Sequence, residues 1–471
     1  MKKLMTVAVA VMAGMLSPDL SASAALTFTT GLQREIDRAS AAGGGRVVVP
    51  AGRHETGAIF LKDGVTLELA EGCTLVASTN IADYVAFSRL APDAPDFFVE
   101  VPGAQARLAN CYAVVGAVRA KGVALVGKGE IDGRGQVALA QGKGNLAPGR
   151  WRDVLFYDCR DVRVEDVTLR NPATWTCYFK ECVGVTVRRV TVDSHANHNN
   201  DGLDIDAKDV LVEDCRIDST DDGICLKSDN PNFITENVLV RNCRVASNCS
   251  FLKLGTAGRG GFRNCRYEHC TLVPCRASPI HDWGGPKAAR GITDRITGLE
   301  GIAIESVDGG ICENIRFTDI DMTAGGVQTP IFVRLARRNR HPSGKPGTLT
   351  DVVIDGVRGK AASLTASSVT GVPGLRVKGV TLRNIDLTLK SGGTAADAAK
   401  PVPEVERRYP QNMMFEGILP AYGFYVRHAD GVRFENVKLK LEPGAEARRP
   451  VVTDDASVVA ERCNFTLAEN P

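Results

Sequence analysis

The chain has 471 residues and carries 57 Lys and Arg against 55 Asp and Glu, which gives a formal net charge of +2. So small a charge produces no field that would steer the protein towards DNA or an anionic membrane, so we expect neither as a partner. This length ordinarily suggests roughly two or three domains. However, 48 Gly and only 6% aromatic residues favour an elongated repeat protein on one continuous core.

The first 24 residues have the pattern of a secretory signal peptide. A lysine pair precedes an apolar run at residues 4–16, and residues 21–25 supply the small side chains at which a signal peptidase cuts. The run is too short for a transmembrane helix, which needs about twenty apolar residues. We therefore expect cleavage after Ala24, a secreted or periplasmic location, and a single domain over residues 25–471.

A short helix and the first strands follow the signal peptide. Residues 32–39 predict one short helix, which the glycines at 43–45 interrupt. Alternating apolar segments at 46–50, 58–61 and 65–69 then predict strands. A helix in this place can cap the exposed apolar end of a solenoid.

One pattern of alternating apolar residues recurs through the middle of the chain. It starts at Val162, Val185, Val210 and Val238, so successive steps are 23, 25 and 28 residues. Alternation with a period of two predicts strands, and a repeat of this length indicates a solenoid rather than a sandwich. No stretch between the repeats is long enough for a crossover helix. We therefore predict an all-β protein, a parallel β-helix whose coils pair with one another.

The corners of the repeats also have a signature. Asp and Asn tolerate a left-handed backbone, which a sharp corner requires. Such a residue recurs beside the predicted strands at Asp166, Asp214, Asn242, Asn314, Asn384 and Asn436.

Two acidic motifs lie about one repeat apart. Residues 199–206 read Asn-Asn-Asp-Gly-Leu-Asp-Ile-Asp, and Asp221 with Asp222 follow twenty residues after Asp201. In adjacent coils these carboxylates are expected to lie close together. Crowded carboxylates cannot all ionise, so the pKa of one rises and that group stays an acid. Turn residues or Ca²⁺ ligands are the competing interpretation, but two such motifs favour an acid/base site.

The ordered motifs resemble family 28 glycoside hydrolases, the polygalacturonase group. The resemblance rests on residues 43–52, residues 56–62, the Asn-x-Asp-Gly-x-Asp segment at 199–204 and the Asp221-Asp222 pair, and it extends over about residues 27–340. It implies a right-handed parallel β-helix that hydrolyses α-linked pectic sugars with inversion at the anomeric carbon. We expect the enzyme to need neither a cofactor nor a metal.

The resemblance also implies roles for the acidic residues. Asp221 would protonate the leaving oxygen, while Asp201 and Asp222 would hold and deprotonate the attacking water. Asn199 and Asp204, from the first motif, are expected to serve substrate binding, with Asp204 in a supporting position. We expect Asp206 to lie on a solvated face of its strand.

Two departures from the family concern the sugar. Ser250 stands where the family has the His of its Gly-His-Gly segment, and we expect the nearest histidines, His195 and His198, to be exposed loop residues. Where the family has Arg-x-Lys to hold the galacturonate carboxylate, this chain has Ala303 and Glu305. An ionised Glu305 would repel a uronate, so either another register, a neutral sugar or other cations must be considered.

Three cations could take over the carboxylate contact. Lys227, Lys253 and Arg334 each alternate with apolar residues on predicted strands, and a positive side chain there could neutralise a carboxylate. The competing interpretation of the two lysines is that they lie on the surface and blunt strand pairing. Trp283, in the irregular stretch 278–295, could stack on a sugar ring or simply pack in its loop.

Three function classes remain open. The leading one is a monomeric hydrolase of a pectic polysaccharide or oligosaccharide, and loops such as 278–295 or 395–420 would decide between endo and exo action. A Ca²⁺-dependent polysaccharide lyase could use Asp201, Asp204 and the Asp221-Asp222 pair as ligands. A non-catalytic carbohydrate binder is the third class. The order of the motifs favours hydrolysis.

Overall fold

The computed structural model describes residues 6–8, 18–94, 111–144, 147–277, 280, 288–293 and 297–467. The chain divides into two compact units, residues 1–220 and 221–471. Strands predominate among the described residues and helices are few, which confirms the predicted all-β class. Within the described ranges, no helix is both long enough and apolar enough to span a membrane.

The first unit contains sixteen strands, which in chain order are β1 (Thr6–Ala8), β2 (Gly45–Val49), β3 (Gly52–Thr56), β4 (Ile59–Leu61), β5 (Val65–Leu69), β6 (Cys73–Ala77), β7 (Tyr112–Val118), β8 (Ala124–Gly127), β9 (Glu130–Asp132), β10 (Trp151–Tyr157), β11 (Arg160–Glu165), β12 (Thr168–Arg170), β13 (Cys177–Arg188), β14 (Thr191–Ser194), β15 (Leu203–Glu213) and β16 (Arg216–Ser219). Its helices are α1 (Pro18–Ala41), α2 (Phe87–Leu90) and α3 (Gly135–Ala140), with a 3₁₀ turn at Ile81–Asp83. These counts refer to the described residues.

The second unit contains thirteen strands in its described part: β17 (Ile224–Ser228), β18 (Thr235–Arg241), β19 (Arg244–Ser247), β20 (Leu252–Gly258), β21 (Gly261–Glu268), β22 (Thr271–Val273), β23 (Gly298–Ser306), β24 (Ile311–Leu335), β25 (Thr350–Ala361), β26 (Ser367–Thr370), β27 (Val377–Leu389), β28 (Ala421–Leu441) and β29 (Arg449–Glu461). A short helix, α4 (Ala395–Ala398), and a 3₁₀ turn at Ala288–Arg290 complete it.

Helix α1 is longer than the predicted helix over residues 32–39. Pro18 stands at its first position, where the missing amide proton costs no helical hydrogen bond. The helix ends before Gly43, whose φ of 91° a residue with a Cβ rarely adopts. The side-chain amide of Gln33 fixes the helix to the first strands. It accepts a hydrogen bond from the Phe60 backbone N–H at 2.8 Å and donates one to the Phe60 carbonyl at 2.9 Å.

Parallel pairing in the first unit joins strands that lie one repeat apart. Val162 of β11 is the partner of Val185 of β13, and Val185 is the partner of Val210 of β15. All three are buried, because alternate side chains point to the interior of the coil. The predicted repeat is confirmed in this unit.

The second unit continues the same pattern. Val238 of β18 pairs with Cys265 of β21, Cys265 with Ile315 of β24, and Ile315 with Val352 of β25. Aromatic rings stack within the interior, as where Tyr267 and Phe317 lie 4.7 Å apart at an interplanar angle of 2°. Each coil therefore buries its apolar positions against the next coil.

The predicted corner residues adopt the expected backbone. All six have φ values between 53° and 68°, in the left-handed region that Asn and Asp tolerate better than other residues with side chains: Asp166, Asp214, Asn242, Asn314, Asn384 and Asn436. The corner prediction is confirmed.

Candidate active site

The first acidic motif lies in the first unit and spans the turn before β15 and the first residues of that strand. Asn199 has a left-handed φ of 54°, and its side-chain oxygen accepts a hydrogen bond from Arg150 at 2.9 Å. The next residue, Asn200, is buried and makes side-chain hydrogen bonds to four backbone groups of this unit. The turn is therefore held by a dense amide network, and Asn200 is a structural residue that the sequence did not single out.

The three aspartates of this motif are all buried. The Asp201 carbonyl accepts from the amide and hydroxyl of Thr176 at 3.0 and 2.6 Å. Asp204 and Asp206 lie on β15 and are fully inaccessible to solvent. The expectation that Asp206 lies on a solvated face is wrong, because its side chain is buried. Lys180 on the paired strand β13 places its ammonium group 3.9 Å from the Asp206 carboxylate. The alternation of one strand cannot reveal a counter-charge that the neighbouring coil supplies.

The histidines near this motif differ from each other. His195 is 2% exposed, and its ring nitrogens lie 2.7 Å from the Asp218 carboxylate and 3.0 Å from the Thr220 hydroxyl. The expectation of an exposed loop residue is therefore wrong for His195. His198 is half-buried, and burial together with the charge of Arg150 lowers its pKa.

The second acidic motif opens the second unit, just before β17. The Asp222 amide donates to the Asp221 carboxylate at 2.9 Å, and the Ser247 hydroxyl donates to the Asp221 carbonyl at 2.7 Å. Both aspartates are buried, with exposed fractions of 8% and 3%. Burial and the negative charge of Asp222 raise the pKa of Asp221 to about 6.

Two lysines surround the Asp222 carboxylate. The ammonium group of Lys253 lies 3.1 Å from it and that of Lys227 lies 3.8 Å away. Burial acts to raise the pKa of Asp222, but the two positive charges outweigh burial and lower it. Neither lysine is a surface residue, because both are buried. Adjacent carboxyl groups thus have opposite pKa shifts, the condition for an acid and a base in one site.

Ser250 links Asp222 to a buried glutamate. Its amide donates to Asp222 at 3.3 Å, and its hydroxyl donates to Glu300 at 2.9 Å. Glu300 also accepts from the Asn412 amide at 2.6 Å. Burial raises the pKa of Glu300. Glu300 and Asn412 were not singled out from the sequence, where the available signal was weak: Glu300 is an acid within the largely apolar segment that becomes β23.

The strand that replaces the Arg-x-Lys segment is β23. Ala303 pairs with Lys253 of β20, and the Glu305 carboxylate lies 3.5 Å from the Lys253 ammonium group. Burial raises the pKa of Glu305 to about 8, so this acid is mostly neutral at pH 7. The repulsion that the sequence analysis expected of Glu305 is therefore largely removed. Lys253 is buried, yet Asp222 and Glu305 raise its pKa well above the usual value.

Arg334 lies on β24 with an exposed fraction of 2%. Its guanidinium group donates to the carbonyls of Gly371 and Glu404, both at 2.8 Å. It also lies 5.7 Å from the centre of the Phe415 ring. Arg334 therefore anchors an irregular stretch to the strands, and its contact with substrate stays a prediction.

This irregular stretch, residues 399–420, is called the covering segment. Its Met414, Phe415 and Leu419 pack against Phe332 and Tyr425 of the strands. Its Tyr409 places an aromatic ring 5.7 Å from the Lys253 ammonium group. The segment thus lies beside the Asp222–Lys253 pair. Trp283, which the sequence offered as a stacking residue, lies outside the described residues.

One set of groups near Asp221 has the spacing of metal ligands. An oxygen of Asp221, an oxygen of Asp222 and the Cys249 sulfur lie within 4.8 Å of one another. The set does not fit Ca²⁺, which binds oxygen atoms, because burial raises the pKa of Cys249 and keeps it a neutral thiol. The Lys253 ammonium group beside Asp222 would also repel a cation.

Part of the chain is similar to known carbohydrate-active proteins. A family model described as glycosyl hydrolases family 28 matches residues 49–249. An exo-poly-alpha-D-galacturonosidase of Dickeya chrysanthemi is 28% identical over 242 residues, which cover 42% of this chain and 38% of that protein. A probable polygalacturonase of Vitis vinifera is 24% identical over 250 residues, which cover 51% of this chain and 50% of that protein. The chain thus spans half or less of these relatives.

Solved structures share the fold. An exopolygalacturonase from Thermotoga maritima superposes with a TM-score of 0.62 at 20% identity, over 90% of this chain and 89% of that one. A family 28 exopolygalacturonase from Yersinia enterocolitica gives a TM-score of 0.59 at 16% identity, over 91% and 75%. Residues 49–249 thus match the same family that the sequence motifs resemble.

Proposed function

We propose that this protein is a secreted, monomeric hydrolase of α-glycosidic bonds in a pectic polysaccharide or oligosaccharide. Its domain would be a right-handed parallel β-helix over residues 25–471 with the N-terminal helix as a cap. The observation that carries the proposal is the pair Asp221 and Asp222, whose neighbouring carboxyl groups have pKa values shifted in opposite directions. The family match over residues 49–249 and the names of the relatives support the substrate class.

The mechanism follows from this difference. Asp221, with a pKa of about 6, remains partly protonated near neutral pH and gives its proton to the leaving glycosidic oxygen. Asp222, which Lys253 and Lys227 keep ionised, takes a proton from the attacking water. Water attacks the anomeric carbon as the glycosidic bond breaks, so the configuration inverts. Asp201 is assigned to the same water on the sequence motif alone.

The substrate-binding assignments have unequal support. Asn199 and Asp204 rest on the family motif, and Trp283 rests on its aromatic character. Lys227, Lys253, Ser250 and Glu305 gain support from their contacts around Asp222. A Ca²⁺-dependent lyase is disfavoured, since the ammonium groups around Asp222 oppose a bound cation.

Asp221→Asn tests the proposal. Loss of the general acid should lower the release of reducing ends by about 10²–10⁴-fold. The matched control is Asp386→Asn, an exposed carboxylate in the same unit that pairs with Lys440 and should leave the rate unchanged. The substrates are homogalacturonan, rhamnogalacturonan and neutral oligosaccharides, and NMR of the first product tests inversion.

Three outcomes would contradict the hydrolase. Undiminished hydrolysis by Asp221→Asn would remove the acid from the mechanism. Products with ultraviolet absorbance, lost in chelator, would indicate a lyase. Binding of sugar without release of reducing ends by the unmodified chain would indicate a non-catalytic binder.

A further inference from the structure

Glu300 of β23 is a buried acid that the proposed mechanism does not use. It is inaccessible to solvent, and its two carboxylate oxygens bind different parts of the second unit. Oε2 accepts a hydrogen bond from the Ser250 hydroxyl at 2.9 Å, and Oε1 accepts one from the Asn412 backbone N–H at 2.6 Å. The Glu300 backbone carbonyl accepts a third from the Phe251 N–H at 2.9 Å. Glu300 therefore holds the turn at residues 250–251 through both its side chain and its backbone.

The same turn holds the base of the acidic pair. The Ser250 N–H donates to the Asp222 carboxylate at 3.3 Å, and the Ser250 carbonyl accepts from the Gly223 N–H at 2.8 Å. Ser250 thus contacts both the side chain of Asp222 and the backbone that follows it. A shift of the turn would therefore turn the carboxylate, and a catalytic group misplaced by about 1 Å can cost roughly 10²-fold in rate.

Lys253 does not supply the same control of direction. Its ammonium group lies 3.1 Å from one Asp222 oxygen and 3.4 Å from the other. An ammonium group is a compact charge with three rotatable donors, so it keeps Asp222 ionised without fixing the plane of the carboxylate. The Ser250 N–H belongs to the backbone and has one direction. The orientation of Asp222 therefore depends on Ser250, which Glu300 holds.

Asn412 fixes the other end of Glu300 to the covering segment. Its side-chain amide donates to the Thr329 hydroxyl at 3.2 Å and to the Leu299 carbonyl at 3.4 Å. Asn412 is 2% exposed, so water competes little for these hydrogen bonds. A hydrogen-bonded path thus leads from the covering segment through Glu300 and Ser250 to the Asp222 carboxylate.

We propose that Glu300 is a positioning residue for the base Asp222, which it orients through Ser250 while Asn412 holds Glu300 in place. Glu300 itself exchanges no proton with the substrate. This inference rests on the proposed function and deepens it, because it assigns a role at the same site to a residue outside the acidic pair. A purely structural Glu300 would change the free energy of unfolding and leave the turnover of the folded enzyme unchanged.

Glu300→Met tests the role, because Met is similarly long and unbranched but removes both acceptor oxygens. In the folded variant, kcat and kcat/KM for a pectic oligosaccharide should fall together by about ten- to a hundredfold, with KM unchanged. Glu300→Gln should restore most of kcat, since its amide oxygen can accept from Asn412 and its amide nitrogen can donate to the Ser250 hydroxyl. Glu313→Met is the matched control: this glutamate is 41% exposed, pairs with Arg263 and should leave kcat unchanged.

Hydrogen exchange measures the positioning without any substrate. The Gly223 N–H donates to Ser250, so it should exchange faster in Glu300→Met than in Glu313→Met. Equal exchange at Gly223 in the two variants would overturn the positioning role. A folded Glu300→Met with the kcat of the unmodified chain would also overturn it and leave the hydrolase intact.

Two further outcomes are also decisive. If the unmodified chain releases no reducing ends, the proposed function fails, and exchange at Gly223 alone decides whether Glu300 holds the turn beside Asp222. If Glu300→Met does not fold, Ser250→Ala replaces it in both measurements, because it removes the hydroxyl that Glu300 binds. A fall in kcat with faster exchange at Gly223 then supports the role, and the absence of either change overturns it.

Discussion

Lys253→Met tests the electrostatic arrangement on which the mechanism depends. Lys253 is buried, and its ammonium group lies 3.1 Å from Asp222 and 3.5 Å from Glu305. A charge-assisted hydrogen bond contributes about 1.5–3 kcal/mol. One pKa unit corresponds to about 1.36 kcal/mol, so the pKa of Asp222 should rise by about one to two units. Met retains an unbranched apolar chain, and Glu305 can remain protonated, so the variant should fold.

The consequence should appear in the pH dependence of kcat/KM. The base must be ionised, so the acid limb of the profile should move up by about one to two units. Lys253 also lowers the pKa of Asp221, so the alkaline limb should move up as well. The assay is reducing-end release from a pectic oligosaccharide between about pH 3 and pH 9, with circular dichroism to check folding. Lys440→Met, which removes an exposed lysine paired with Asp386, is the control. A folded Lys253→Met with the acid limb of the unmodified chain would refute the reasoning.

Two further predictions concern stability. In the unmodified chain, folded Glu305 holds a proton between about pH 5 and pH 8 that the unfolded chain has lost. The free energy of unfolding therefore falls as pH rises through this range, by up to about 1.4 kcal/mol per pH unit. Glu305→Gln should remove this contribution and flatten the pH dependence. Equal slopes in urea unfolding at several pH values would contradict this. Ser250→Ala removes the hydroxyl donor to buried Glu300 and should cost about 1–3 kcal/mol in the same assay, against less than about 0.5 kcal/mol for exposed Ser343→Ala. Equal costs would show that the hydrogen bond to Glu300 contributes nothing measurable.

The repeat could be predicted because each coil uses the same local chemistry. Val162, Val185 and Val210 occupy one interior row, and the residue type at each position reports its own burial. The corners at Asp166 and Asp214 are likewise fixed by the backbone preference of a single residue. Helix α1 was underestimated because its first residues, up to Ala24, were assigned to a signal peptide and a helix was predicted only over residues 32–39.

The acidic site was only partly predictable. The pair Asp221-Asp222 is local in the sequence, so its character as an acid/base pair could be inferred directly. Its pKa shifts could not be inferred, because the charges that lower the pKa of Asp222 come from Lys227 and, one coil later, from Lys253. Asn412 lies farther away still, 112 residues from Glu300, to which its amide donates. Contacts of this kind leave no periodic signal in the sequence.

The absence of the Arg-x-Lys motif does not mean that positive charge is absent from the neighbouring strand. In β23, Ala303 and Glu305 face Phe332 and Arg334 of the paired strand β24, and Arg338 follows four residues after Arg334. The positive charge that Arg-x-Lys would supply on one strand thus reappears just after the end of the next strand. Comparing motifs position by position left another register, a neutral sugar and other cations open. The structure places Tyr409 between two cations, 5.7 Å from the Lys253 ammonium group and 5.6 Å from the Arg338 guanidinium carbon. Substrate charge in a stacked-coil enzyme should therefore be inferred from neighbouring coils together rather than from one motif.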